Sequence, residues 1–161
     1  MANSFSGSYF YQIDDKGRMR VPTEFRTLLG NDLHIGYGHG KYLVIYTAES
    51  YERECQNALQ VNPILDRKSA KFYRDLFASM RSFDCDAQGR FKIPSDFRKD
   101  LGLTDEVVIL GYNQTVEIWS RKFYDRRNED EVAFYRLMSD EERKAADERT
   151  AMLDKAAEDK N

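Results

Sequence analysis

A stretch of seventeen residues occurs twice in this chain, and the second copy begins 72 positions after the first. The first copy reads DDKGRMRVPTEFRTLLG from Asp14 to Gly30, and the second reads DAQGRFKIPSDFRKDLG from Asp86 to Gly102. Without any gap, the identical residues are Asp14, Gly17, Arg18, Pro22, Phe25, Arg26, Leu29 and Gly30, which recur as Asp86, Gly89, Arg90, Pro94, Phe97, Arg98, Leu101 and Gly102. Internal similarity of this kind indicates one structural unit used twice. We therefore expect two halves related by an approximate twofold axis.

Each repeat is too short to be comfortably stable alone, because a very small unit buries little apolar surface. With 161 residues and a hydrophobic fraction of 41%, the whole chain can form one core that both halves share. The predicted divisions are a first repeat at 5–53, a helical linker at 54–81, a second repeat at 82–127, and a charged tail, helical or disordered, at 128–161.

Turn residues, apolar spacing and capping groups predict the same order of elements in both repeats. A short alternating strand follows each Asp-x-x-Gly turn, and then come a helix opened by proline and two further strands. These elements are predicted at 18–21, 22–29, 33–37 and 42–46, after an initial strand at 5–13, and again at 90–93, 94–101, 107–111 and 115–119. Thr47 and Ser120 are placed to cap one more helix in each repeat. In the linker, apolar residues at helical spacing, among them Leu65, predict an amphipathic helix that begins near Asn62.

The strand after each Asp-x-x-Gly turn carries two basic residues on one face. Side chains alternate along a strand, so Arg18 and Arg20 share a face, as do Arg90 and Lys92. Two such strands related by a twofold axis would present their cations on one side of the molecule, and β-ribbons can enter the DNA major groove. The planar guanidinium suits this role because it binds a phosphate or a guanine edge with two hydrogen bonds. Lys16 adds a cation to the first turn only.

The same residues have a purely structural interpretation, to which the sequence alone gives equal weight. Asp14 precedes Arg18 by four residues across a turn, and Asp86 precedes Arg90 in the same way. Each arginine could therefore pair with its own aspartate and brace its hairpin. The residues that shape the two turns are Asp14, Gly17, Asp86 and Gly89. The arginines of the two following helices are predicted mainly to cap or brace those helices: Arg26 and Arg98.

The doubled Asp-x-x-x-Arg turn, followed by an alternating basic strand and Pro-x-x-Phe-Arg, resembles the MraZ family of bacterial transcriptional regulators over residues 5–127. The resemblance implies an α+β fold in which two AbrB-like (SpoVT-AbrB) swapped-hairpin repeats form an interleaved, double-split β-barrel with flanking helices. It implies a ring-like homo-oligomer that binds tandem repeats in double-stranded promoter DNA, upstream of the division and cell-wall gene cluster. The Asp-x-x-x-Arg motifs are associated with DNA binding in that family. The candidate DNA-binding residues here are Arg18, Arg90, Lys16, Arg20 and Lys92.

Composition and motif content also bear on membrane insertion, localisation, DNA binding and catalysis. No stretch approaches the ~18 consecutive apolar residues of a membrane span, and Cys55 and Cys85 are isolated, so we expect a cytoplasmic protein. The family resemblance further implies association with the nucleoid. The net charge is −3, with the acidic excess in 128–161, so binding to DNA would depend on a local cluster of cations. Neither His34 nor His39 belongs to a metal or catalytic motif, and we predict no enzymatic activity and no cofactor. The alternative function is an oligomeric protein-interaction module, either antitoxin-like or a scaffold.

Overall fold

The computed structural model describes residues 4–38, 40–129, 144, 147–148, 151–152, 154–156 and 158–159. His39 and most of the predicted tail therefore lie outside the described residues. The chain divides into two compact units, residues 1–124 and 125–161. The first unit contains the first repeat and residues 82–124 of the second repeat, and in the second unit Arg126 Nε lies 3.4 Å from a carboxylate oxygen of Glu129.

Both repeats follow the same order of strands and helices. The first contributes β1 (Ser8–Gln12), β2 (Arg18–Arg20), α1 (Thr23–Leu29), β3 (Leu33–Tyr37), β4 (Tyr42–Tyr46) and α2 (Ala48–Leu59). After α3 (Arg67–Ser79), the second contributes β5 (Arg81–Phe83), β6 (Arg90–Lys92), α4 (Ser95–Leu101), β7 (Glu106–Tyr112), β8 (Thr115–Ser120) and α5 (Arg121–Asp125). Among the described residues, no helix is long and apolar enough to cross a lipid bilayer.

Strand pairing exchanges partners between the two repeats. Six strands form an antiparallel sheet in the order β1-β7-β8-β4-β3-β5. At one edge β1 of the first repeat pairs with β7 of the second, and at the other edge β5 of the second repeat pairs with β3 of the first. At the centre β4 pairs with β8, and the middle pair of that ladder is Val44 opposite Glu117. The halves therefore cannot separate without breaking the sheet.

The hydrogen-bonded sheet does not close on itself, so the interleaved, double-split β-barrel that the resemblance implies is not confirmed. Strands β1 and β5 form its two edges, while β2 and β6 pair in a separate two-stranded ribbon. Among the described residues β2 and β6 pair with each other, and no strand joins β1 to β5. The α+β class with an antiparallel sheet and several helices is confirmed.

One hydrophobic core contains side chains from both repeats, as the short length of each repeat predicts. Phe25 and Leu29 of α1 belong to the same buried cluster as Phe97 and Leu101 of α4. The sheet strands add a shared set of buried aliphatic residues: Leu33, Ile35, Leu43, Ile45, Val107, Ile109, Val116 and Ile118. Burial of these side chains across the repeat boundary is the main source of stability for a unit of this size.

The linker helix begins later than the sequence predicts. Helix α3 starts at Arg67, because the Asp66 carboxylate caps it by accepting a hydrogen bond from the Ser69 backbone N–H at 3.0 Å. Asn62 closes a separate turn by accepting a hydrogen bond from the Ile64 backbone N–H at 2.9 Å. Leu65 consequently lies outside the helix and is 83% exposed, so its assignment to the apolar face is wrong.

Candidate nucleic-acid interface

The first Asp-x-x-x-Arg turn is organised by a single carboxylate. Asp14 Oδ1 accepts hydrogen bonds from the backbone N–H groups of Lys16 and Arg18 at 2.9 and 2.8 Å. Its other oxygen accepts one from Arg18 Nε at 2.8 Å. Gly17 has a φ of 78°, a left-handed conformation that glycine adopts without steric penalty. The Asp14 side chain thus shapes the turn and also fixes the base of the Arg18 guanidinium.

The second turn repeats this arrangement almost atom for atom. Asp86 Oδ1 accepts hydrogen bonds from the backbone N–H groups of Gln88 and Arg90, both at 2.9 Å, and Oδ2 accepts one from Arg90 Nε at 3.1 Å. Gly89 has a φ of 75°. The structural interpretation of the motif is therefore present in both repeats: each arginine pairs with its own aspartate.

This pairing leaves part of each guanidinium available. The side chains of Arg18 and Arg90 are 37% and 35% exposed. Among the described residues, both are held through Nε, and their terminal nitrogens donate no hydrogen bond to another group. Two parallel N–H donors on one edge of a guanidinium match the oxygens of a phosphate or the N7 and O6 acceptors of guanine. Bracing and ligand binding are therefore compatible in the same residue.

The two basic strands pair with each other in a two-stranded antiparallel ribbon. Met19 lies opposite Phe91 at its centre, and both side chains are buried in the core. The ladder extends beyond the strands, because the Val21 N–H donates to the Gly89 carbonyl at 2.8 Å and the Ile93 N–H donates to the Gly17 carbonyl at 3.0 Å. The two turns are thus held in a fixed relation at opposite ends of one ribbon.

Four cations share the face of this ribbon that points away from the core. Arg18 lies directly opposite Lys92, and Arg20 lies directly opposite Arg90. We call these four residues the basic ribbon. Like charges placed directly opposite each other destabilise a strand pair, and among the described residues only two carboxylates, Asp14 and Asp86, pair with its members. The basic ribbon therefore carries an excess of positive charge, and this excess does not stabilise the fold.

Arg26 and Arg98 brace the turns across the repeat boundary. Arg98 of α4 packs on the first turn, so closely that a Cβ on Gly17 would clash with its guanidinium. Arg26 of α1 packs on the second turn in the same way, so that a Cβ on Gly89 would clash with its guanidinium. Each also donates a hydrogen bond to a carbonyl, Arg98 to Ile93 at 3.0 Å and Arg26 to Val21 at 3.5 Å. The sequence predicted that these arginines cap or brace their own helices. It did not predict that each of them packs on the turn of the other repeat.

The described geometry defines a class of protein: a tandem-repeat α+β protein whose halves exchange edge strands and join two Asp-x-x-x-Arg turns in one basic ribbon. The family model described as "MraZ protein, putative antitoxin-like" matches residues 4–72 and matches again over residues 76–151. The chain therefore belongs to the MraZ family, which confirms the resemblance seen in the sequence. It is a regulator-type protein.

Acid should weaken both turns. Hydrogen bonds from backbone N–H groups, above all those of Arg18 and Arg90, lower the pKa of Asp14 and Asp86 below the usual value of 3.8. A carboxyl with a lowered pKa in the folded state contributes stability above its unfolded pKa, and this contribution is lost as the pH falls through the folded value. We expect Asp14→Asn with Asp86→Asn to lower the midpoint of urea unfolding at pH 7, and to differ progressively less from the unmodified protein below about pH 5.

The matched control for this acid experiment is Asp15→Asn. This substitution removes a carboxylate next to Asp14 that accepts no hydrogen bond among the described residues, and it should leave the urea midpoint almost unchanged at every pH. A stability difference for the Asp14 and Asp86 variant that stays constant from pH 7 to acid would contradict the assignment of these carboxylates as the organisers of the turns.

Proposed function

We propose that this chain is a sequence-specific, DNA-binding transcriptional regulator without enzymatic activity, and that it acts as a homo-oligomer on tandem repeats in promoter DNA. The observation that carries this proposal is the basic ribbon, in which Arg18 faces Lys92 and Arg20 faces Arg90. A local arrangement that opposes stability is typical of a functional surface. A polyanion supplies the compensating charge.

The shape of the basic ribbon suits a DNA duplex. The B-DNA major groove, about 12 Å wide, admits a two-stranded β-ribbon. The ribbon is antiparallel with matching turns at its ends, and a DNA duplex has the same local twofold symmetry. Asp14 and Asp86 hold the two guanidinium groups by Nε, so that the terminal nitrogens are preset to bind base edges or phosphates. Arg18 and Arg90 would then discriminate bases, with Arg20, Lys92 and Lys16 adding phosphate contacts.

Assembly into an oligomer compensates for the weak attraction of a single chain to DNA. The net charge is −3, so one basic ribbon provides the attraction to DNA against an acidic background. Several ribbons in one oligomer multiply a weak contact through effective concentration and can span tandem sites. Membership of the MraZ family supports a ring of AbrB-like swapped-hairpin modules that represses the division and cell-wall gene cluster, its own promoter included, at the nucleoid. The exchange of β1 and β5 between repeats supports the same module.

The direct experiment titrates the protein against its own promoter DNA and against the same DNA with the tandem repeats scrambled. Affinity for both DNAs should fall steeply between roughly 50 and 200 mM salt, because phosphate contacts release counterions. The preference for the repeats should persist at the higher salt concentration, because base contacts do not depend on counterion release. Equal affinity for the two DNAs at both salt concentrations would exclude sequence-specific binding.

A second candidate is an oligomeric protein-interaction module, antitoxin-like or a scaffold. It is favoured by three strongly exposed apolar side chains in the segment around the α2–α3 connection: Leu59, Ile64 and Leu65. Apolar surface of this kind commonly marks a protein contact. This candidate predicts no preference for tandem repeats in the same titration, whereas a regulator that uses the patch only for assembly would keep the preference.

A further inference from the structure

A second cluster of side chains lies apart from the main core and surrounds a cavity of about 450 Å³. Strands β4 and β8 and helices α2 and α3 contribute to its lining. The volume falls within the usual range for small-molecule sites. The lining is rich in aromatic rings: Tyr37, Tyr42, Tyr46, Phe72, Tyr73 and Tyr112.

A carboxylate lies among these rings. Glu117 is only 9% exposed and belongs to the cavity lining, while its neighbours Val116 and Ile118 lie in the main core on the other side of the sheet. Its side chain accepts a hydrogen bond from Trp119 Nε1 at 3.0 Å. Among the described residues no cation lies within ion-pair distance of Glu117. Burial raises the pKa of this carboxyl, because the charged form loses hydration.

The fold itself does not require a carboxylate at this position. Val44 lies opposite Glu117 at the middle of the β4–β8 ladder and serves the equivalent position of the first repeat with an aliphatic side chain. A buried carboxylate with so few partners lowers stability unless a cation joins it. The other charged groups of the lining are Glu54 and Arg53, and Arg53 pairs with Glu49 at 3.2 Å. The cavity therefore has an acidic character.

We propose that this cavity binds a small organic cation of the alkylammonium class, with Glu117 as its counterion and the tyrosine rings as its walls. Aromatic faces attract ammonium groups through their quadrupole, and desolvation strengthens that attraction. The bound cation also pairs with Glu117, which has no cationic partner among the described residues. This site is separate from the basic ribbon and does not depend on DNA binding.

Isothermal titration calorimetry with choline on the full chain tests the site. We expect saturable binding of choline and at least tenfold weaker binding of dimethylbutanol, its uncharged carbon isostere. Glu117→Gln keeps the shape but removes the charge, and it should weaken choline binding at least tenfold. The matched control is Glu52→Gln, which removes an exposed carboxylate outside the lining and should leave choline affinity unchanged.

A second variant keeps the test decisive if Glu117→Gln alters the fold. Tyr73→Leu removes one aromatic wall, whereas Tyr73→Phe keeps the ring, so only the leucine variant should weaken choline binding. No binding of choline at millimolar concentration, equal binding of dimethylbutanol, or full affinity in Glu117→Gln would overturn the proposal. A change of oligomeric state in Glu117→Gln without any choline binding would also overturn it, and would assign the carboxylate to a cationic side chain of a second copy.

Discussion

Replacing both Arg18 and Arg90 with alanine should abolish the preference for tandem-repeat DNA and leave the protein folded. Each guanidinium is held by its aspartate through Nε, while its terminal nitrogens donate to no other group in the part of the chain that the structure describes. A good bidentate contact to a base contributes about 1–3 kcal/mol of discrimination, so each single variant should lose roughly tenfold or more in specific affinity. The loss should be larger in the double variant, because every subunit of an oligomer then lacks both contacts.

Two further variants separate charge from geometry in this experiment. Arg67→Ala with Lys68→Ala removes the same formal charge from α3, outside the basic ribbon, and should reduce affinity for repeat and scrambled DNA equally and only slightly. Arg18→Lys with Arg90→Lys keeps the charge but loses the planar fork, so it should retain non-specific binding and lose the preference for repeats. Fluorescence anisotropy with both DNAs measures these affinities. Full specificity in the double alanine variant would restrict Asp14–Arg18 and Asp86–Arg90 to a structural role.

Phe97→Ala should destabilise the whole repeat unit by about 3–5 kcal/mol, the typical loss for a buried phenylalanine. The Phe97 ring is fully buried, packs edge-on against Tyr37 with centroids 4.8 Å apart, and lies 4.4 Å from the Arg81 guanidinium carbon. Domains of this size have a free energy of unfolding of roughly 5–15 kcal/mol. One truncation therefore removes a large fraction of the total stability.

The equivalent substitution in the other repeat tests whether the core is shared. Phe25 is the counterpart of Phe97, and it packs edge-on against Phe5 and Tyr9 at 5.2 Å. Phe25→Ala and Phe97→Ala should each shift one common urea transition, because both rings belong to one buried cluster. Phe10→Ala, which removes a ring that is 55% exposed, is the control and should have a much smaller effect. Two separate transitions in either core variant would show that the repeats unfold independently.

Local sequence patterns predicted much of the secondary structure. Strands β3 and β4 have the predicted bounds, because the glycine-rich turn between them separates two runs rich in apolar residues. Thr47 caps α2 by accepting a hydrogen bond from the Ser50 N–H at 3.0 Å, and Ser120 caps α5 through the Phe123 N–H at 3.2 Å. In each case the chemistry that determines the element lies within a few residues of it.

The features that the sequence did not predict depend on partners far along the chain. Strand β5 is three residues long and extended chiefly because it pairs with β3, so its own residues carry little signal. The packing of Arg26 and Arg98 on each other's repeats follows from the ribbon register, which no local periodicity encodes. The burial of Glu117 could not be predicted from its own strand, because residues of helices α2 and α3, far along the chain, line the same cavity.

The two central pairs of the molecule join unlike residues, Met19 with Phe91 and Val44 with Glu117. A dimer of identical chains must repeat every substitution on both sides of its axis, whereas a duplicated chain can change one side alone. Lys16, whose equivalent in the second turn is Gln88, is one such change. The two turns at the ends of the basic ribbon consequently differ. Under the proposed function, an operator that fits the ribbon can be read in one direction, and its half-sites need not be mirror images.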